Sequence, residues 1–69
     1  MEYYNHSFHQ QHVISSLLDD LGYSLMASHA RKETNNEILK GYAKIIQYAA
    51  FKRSEGDILI KLDKSGILN

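Results

Sequence analysis

The first half of the chain carries an apolar stripe with the spacing of an amphipathic helix. The members of this stripe are Ile14, Leu18, Leu21, Leu25 and Ser28. Intervals of four and three residues place them on one helix face, and Ser7 followed by Gln10 matches a capping box at the helix start. Gly22 lies inside the stripe, as either a close-packing point or the junction of two shorter helices. We expect one helix over about residues 7–30.

A polar connection over residues 29–36 separates this stripe from a second one. Thr34 followed by Glu37 is again a capping box, so a second helix is predicted over about residues 35–53. The apolar face of this helix holds Ile38, Tyr42, Ile45, Ile46 and Ala49. Gly56 is expected to end the helix as a left-handed cap.

The last segment, residues 57–69, is compatible with two structures. Ile58, Ile60 and Leu62 recur at every second position, as in a short strand. The same segment also fits a helix that has Ile58, Leu59 and Leu62 on one side and Gly66 as its cap. Because a strand here would need to pair with a second copy of the chain or with a very short return through Ile67 and Leu68, we favour a short third helix.

These elements predict an all-α protein with a single helical domain over residues 1–69. The two long helices form an antiparallel helical hairpin that a short C-terminal element follows. The core of such a chain is thin, since folding at about 60 residues hides only roughly 60% of the unfolded surface. We therefore expect two hairpins to pair as a homodimeric four-helix bundle. The predicted bundle core is Ile14, Leu18, Leu21, Leu25, Ile38, Tyr42, Ile45 and Ala49.

Composition narrows the classes of protein to consider. The chain has no cysteine, which excludes disulfides and thiolate metal sites and is typical of a cytoplasmic protein. No run approaches the roughly 18 apolar residues of a membrane span, and the polar N-terminal residues lack the apolar centre of a secretory signal. We expect a soluble protein with no membrane partner.

The formal net charge of zero arises by cancellation. Residues 1–30 contain acidic residues and all four histidines but no Lys or Arg, whereas residues 31–54 are rich in Lys and Arg. The two segments can neutralise each other in a hairpin or a dimer, or either can face a charged partner. Mutual neutralisation would leave the lysines of the second helix as the largest surface of one sign.

No residue pattern typical of catalysis occurs. The chain lacks a phosphate-binding glycine loop, a Gly-x-Ser-x-Gly elbow and a His-Glu-x-x-His motif. His6, His9 and His12 recur every third residue, which allows a loose metal or pH-sensitive site or an ordinary polar first turn. We favour the polar turn, and we expect no enzymatic activity and no cofactor.

Two clusters of aromatic residues are candidate contact surfaces. Tyr3, Tyr4 and Phe8 are expected to staple the chain entry onto the bundle, with a partner anchor as the alternative. The outer face of the second helix combines basic and aromatic side chains: Lys40, Lys44, Gln47, Tyr48, Phe51 and Lys52. Phe51 lies where a partner, rather than the core of its own chain, would cover it.

This face predicts a small non-enzymatic interaction protein of the regulator, adaptor or inhibitor type that bacteria, plasmids and phages encode. We expect it to bind itself and a protein partner. The alternative is a helical dimer that binds nucleic acid or a nucleotide through phosphate contacts and base stacking on the same face. A third interpretation leaves the face solvated, with Phe51 under the C-terminal segment. The net charge of zero and a pI near 6.9 disfavour a dedicated duplex binder.

Overall fold

Four α-helices make up the part of the chain that the structure describes. The computed structural model describes residues 6–69, with side chains from His9 onward. The helices are α1 (His6–Asp20), α2 (Ser24–Ala30), α3 (Asn36–Lys52) and α4 (Gly56–Ser65). No strand occurs within residues 6–69, which confirms the all-α prediction. The predicted aromatic cluster of Tyr3, Tyr4 and Phe8 lies outside the described side chains.

The first predicted helix is in fact two helices, α1 and α2, so the prediction of one continuous helix is wrong. The break occurs at Gly22, whose φ of 89° lies in the left-handed region. The Tyr23 N–H donates to the Leu18 carbonyl at 2.8 Å, and the Gly22 N–H donates to the Asp19 carbonyl at 2.9 Å. This is the Schellman pattern that ends a helix, and glycine adopts its left-handed position at the lowest steric cost.

The N-terminal caps of α1 and α3 differ from the predicted ones. Asn35, rather than Thr34, caps α3, and its side-chain oxygen accepts a hydrogen bond from the Glu37 N–H at 2.9 Å. The prediction was wrong by one position because two good capping residues stand side by side in the sequence. α1 begins at His6, so Ser7 lies inside the helix rather than at its cap.

α3 ends in a second Schellman turn, and its left-handed residue is Ser54, with φ of 57°. The Glu55 N–H donates to the Ala50 carbonyl at 2.8 Å and closes this turn. Gly56 is the first residue of α4, so the prediction that it ends the preceding helix is wrong. α4 confirms the helical interpretation of the C-terminal segment, and Gly66, with φ of 74°, ends it as predicted.

Two hydrogen bonds from side chains to backbone carbonyls show how α3 lies relative to α1. Gln11 Nε2 donates to the Glu33 carbonyl at 2.7 Å, which places the segment leading into α3 beside the first half of α1. Arg53 Nη1 donates to the Leu21 carbonyl at 2.9 Å, which places the end of α3 beside the end of α1. α1 and α3 therefore run in the same general sense.

α4 returns towards the beginning of α1. Gln10 Nε2 donates to the Ser65 carbonyl at 3.3 Å, so the end of α4 lies beside the first half of α1. The helices share one core, which consists of Ile14, Leu17, Leu18, Leu21, Ala27, Ala30, Leu39, Ala43, Ile46, Ala49, Ala50, Ile58, Leu62 and Ile67. Within residues 6–69, no helix has both the length and the apolar character that crossing a membrane requires.

The structure buries part of the predicted core and exposes the rest. Ile14, Leu18, Leu21 and Ala49 are buried, and Tyr42 packs against the core. The prediction that Leu25, Ile38 and Ile45 are buried is wrong. These three residues are 75%, 45% and 38% exposed. α3 buries Leu39, Ala43, Ile46, Ala49 and Ala50. Ile46 and Ala49 belong to the predicted face as well, so the buried face is rotated from the predicted one by about 70° around the helix.

Candidate interaction surface

α3 and α4 enclose an open groove at the protein surface. Lys44, Gln47, Tyr48 and Phe51 of α3 line this groove together with Leu59 of α4, and its volume is about 410 Å³. The four α3 residues occupy positions i, i+3, i+4 and i+7, so they share one side of the helix. All four belong to the face predicted from the sequence. We call these five residues the basic-aromatic groove.

Both aromatic side chains of the basic-aromatic groove are open to solvent. Phe51 is 74% exposed and Tyr48 is 66% exposed. The interpretation in which the C-terminal segment covers Phe51 is therefore wrong for the described structure. A partner that binds here would remove the rings of Tyr48 and Phe51 and the side chain of Leu59 from water.

Lys52 and Lys40, the other two residues of the predicted face, do not line the groove. The Lys52 ammonium lies 5.5 Å from the centre of the Tyr48 ring, which is a cation–π distance. Lys40 is half-buried one turn before Lys44. One lysine thus lines the groove, a second lies against its aromatic rim, and a third lies one turn away.

Leu59 is the groove residue that the sequence analysis missed. It is half-buried, and with Leu62, Asp63 and Leu68 it also lines a neighbouring hollow of about 360 Å³. Gln47 lines both hollows. The available signal was the position of Leu59 at the margin of the apolar face of α4. The neighbouring hollow differs from the basic-aromatic groove, because Asp63 and Asn69 are among its lining residues.

Two ion pairs among the described residues lie outside this groove. Arg31 Nη2 lies 2.6 Å from Asp19 Oδ2, and Arg53 Nη1 lies 3.6 Å from Glu55 Oε2. The residues that line the basic-aromatic groove include Lys44 and no carboxylate. Its side-chain charge, among the described residues, is therefore positive.

The described histidines of the first helix line a different groove, between α1 and α4. His9 and His12 border a hollow of about 440 Å³ together with Asp20 and Lys61. Within the described part of the chain, no group of three His, Asp or Glu side chains is arranged to hold a metal ion. The side chain of His6 lies outside the described ones.

No protein-family profile matches the chain, and neither a curated protein nor a solved structure matches it. Function is therefore inferred from the geometry of the basic-aromatic groove.

Proposed function

We propose that the protein acts by binding a protein partner through the basic-aromatic groove, as a regulator, adaptor or inhibitor that performs no chemistry. The observation that carries this proposal is the exposed ring of Phe51 beside the apolar side chain of Leu59. Interface energy is concentrated in a few aromatic or basic residues that become desolvated at the centre of the contact. Phe51 supplies such an anchor, and Tyr48 lies next to it.

The charge of the groove favours a partner surface with acidic residues around an apolar centre. Lys44 lines the groove, and the Lys52 ammonium lies against the Tyr48 ring. Lysines at the rim of an interface steer an acidic partner and reject a basic one more than they add to the final affinity. The apolar contact would therefore supply most of the affinity and the lysines most of the selectivity.

Nucleic acid is the alternative ligand of the same surface. Tyr48 and Phe51 could stack on bases while lysines contact phosphates. The protein interpretation is favoured because Leu59 is part of the groove lining and its aliphatic side chain offers no flat ring for stacking. The chain has a formal net charge of zero and therefore lacks the excess of basic residues that is typical of nucleic-acid binders.

The proposal includes self-association as a homodimer. Large apolar side chains remain exposed in the single chain: Leu25, Met26, Ile38, Ile45, Tyr48, Phe51 and Ile60. A small domain gains stability by covering such side chains with a second copy. The predicted bundle of two two-helix hairpins is modified here, because residues 6–69 of each chain already form four helices.

A pull-down with the tagged full chain from a lysate of the encoding organism tests partner binding. Nuclease-treated lysate is applied to the wild type, to Phe51→Ala and to Ile60→Ala, which is a matched control because Ile60 is also exposed, at 55%. We expect a protein that the wild type and Ile60→Ala retain and that Phe51→Ala loses. Equal retention by all three variants would contradict the assignment of the surface.

The salt dependence of the complex separates the two classes of ligand. A complex that depends on an aromatic anchor should change little between about 50 and 200 mM salt, whereas a nucleic-acid complex should weaken by about 1000-fold or more if six or more phosphates are neutralised. If lysate without nuclease treatment yields nuclease-sensitive material that is released with this steep salt dependence, the ligand is nucleic acid and the protein-partner proposal is wrong.

A further inference from the structure

α3 carries an exposed stripe beside the basic-aromatic groove. Its residues, Ile38, Gly41, Ile45, Tyr48 and Lys52, follow one another at intervals of three and four positions, and each of them is exposed. We call this stripe the α3 seam. A 3-4-3-4 spacing is the pattern along which two helices pack in a coiled coil. The seam covers almost the full length of α3 and faces away from the core stripe.

Gly41 leaves a gap in the middle of the α3 seam. A Cβ atom placed on Gly41 would meet nothing within 4 Å, so packing within the chain does not require a glycine there. Glycine in a helix interior destabilises the helix relative to alanine. Close approach of a second helix is a role that this position can serve.

We propose that a second copy of this chain docks on the α3 seam in antiparallel orientation, with the two-fold axis close to Ile45. This inference rests on the self-association included in the proposed function. In this register Ile45 meets Ile45 of the partner subunit, and the ring of the partner's Tyr48 enters the gap above Gly41. The ammonium of the partner's Lys52 then approaches the carboxylate of Glu37.

The distribution of charge along α3 selects the antiparallel orientation. Glu37 lies in the first turn of α3 and Lys52 in its last turn, so an antiparallel pair places opposite charges together at both ends. A parallel pair would set Lys52 against Lys52 of the partner subunit and leave the gap at Gly41 unfilled. Antiparallel packing also brings the positive end of each helix dipole beside the negative end of the other.

The proposed dimer leaves most of the basic-aromatic groove accessible. At about 100° per residue, Phe51 lies about 120° around α3 from Ile45. Lys44 lies at the margin of the α3 seam and is exposed, so it remains available to line the groove. Tyr48 alone belongs to both surfaces. The dimer would therefore present two grooves, so a bivalent partner would bind with increased avidity.

Sedimentation equilibrium of the full chain over micromolar concentrations tests the surface. We expect the wild type to be dimeric and Ile45→Glu to dissociate at least about 100-fold more readily, because two carboxylates would be buried face to face. Ile60→Glu is the matched control, since Ile60 is an exposed isoleucine on α4, and it should remain dimeric. Circular dichroism checks that both variants keep the helix content of the wild type.

The results of this experiment distinguish a wrong assignment of the α3 seam from the absence of self-association. A wild-type chain that is monomeric throughout would overturn both the seam and the homodimer, while partner binding through Phe51 would still be tested by the pull-down. A wild-type dimer that survives Ile45→Glu would overturn the seam only.

Disulfide trapping tests the orientation, because the chain has no cysteine of its own. Gly41→Cys and Tyr48→Cys proteins are prepared separately, mixed and oxidised. The antiparallel register predicts a disulfide between the two different variants, since only paired positions bring Cα atoms to within about 7 Å. Preferential coupling of each variant to itself would overturn the antiparallel register and indicate a parallel pair.

Discussion

The substitution Gly22→Ala changes the stability of the chain in opposite directions depending on whether α1 ends at this residue. Gly22 has φ of 89°, and an added Cβ would meet nothing within 4 Å. The penalty is therefore conformational, about 1–2 kcal/mol for a left-handed residue that is not glycine. In a continuous helix the same change would stabilise the chain by about 1 kcal/mol, because alanine is the better helix former.

Urea and thermal unfolding, followed by circular dichroism at one fixed protein concentration, measure this difference. A loss of about 1 kcal/mol lowers the Tm of a domain of this size by about 4–8 °C. Gly22→Asn should lose less than Gly22→Ala, because asparagine tolerates the left-handed region better. Gly56→Ala is the control: its Cβ also has free space and its φ is not positive, so no loss is expected. A more stable Gly22→Ala protein would refute the end of α1 at Gly22.

Core packing and helix capping lead to two more measurable changes in the free energy of unfolding. Ile46→Ala, at a fully buried position, should lower it by about 2–5 kcal/mol, whereas exposed Ile60→Ala should lower it by less than about 0.5 kcal/mol. Equal losses would contradict the core assignment. Asn35→Ala should cost about 0.5–2 kcal/mol and Thr34→Ala much less, because Asn35 accepts the Glu37 N–H. A larger loss for Thr34→Ala than for Asn35→Ala would show that Thr34 is the N-cap of α3.

Helical periodicity identified the helical segments but not the point where one helix becomes two. Leu18, Leu21 and Leu25 keep a helical spacing across Gly22, so the stripe continues in the sequence although α1 has ended. A Schellman turn is defined by backbone dihedral angles and by amide-to-carbonyl hydrogen bonds. Neither property changes the spacing of apolar side chains. Glycine at the turn was the one signal, and it allowed both interpretations.

The predicted and the buried faces of α3 overlap at Ile46 and Ala49, and tertiary packing decides on which side of this overlap the buried face lies. The predicted face extends to Ile45, whereas the buried face extends to Ala43 and Ala50. Small side chains allow neighbouring helices to approach closely, which sequence spacing alone does not reveal.

The structure brings four of the six residues of the predicted contact face into one groove, and their role in binding stays a prediction. Lys44, Gln47 and Phe51 lie on one face of any helix that includes them, so periodicity alone brings them together. Leu59 belongs to another helix, and its place in the basic-aromatic groove depends on how α4 returns along α3. The turn that sets this return contains Ser54 in a left-handed conformation, which is uncommon for serine and was not predicted.

Arg53 connects the two inter-helix turns of the fold. Its guanidinium donates to the Leu21 carbonyl and lies 5.4 Å from the centre of the Tyr23 ring, and both residues belong to the turn between α1 and α2. The same side chain pairs with Glu55 in the turn between α3 and α4. A fluctuation that opens either turn therefore disrupts contacts of the other. We therefore expect the backbone amides of the two turns to exchange as one cooperative unit in a hydrogen-exchange experiment.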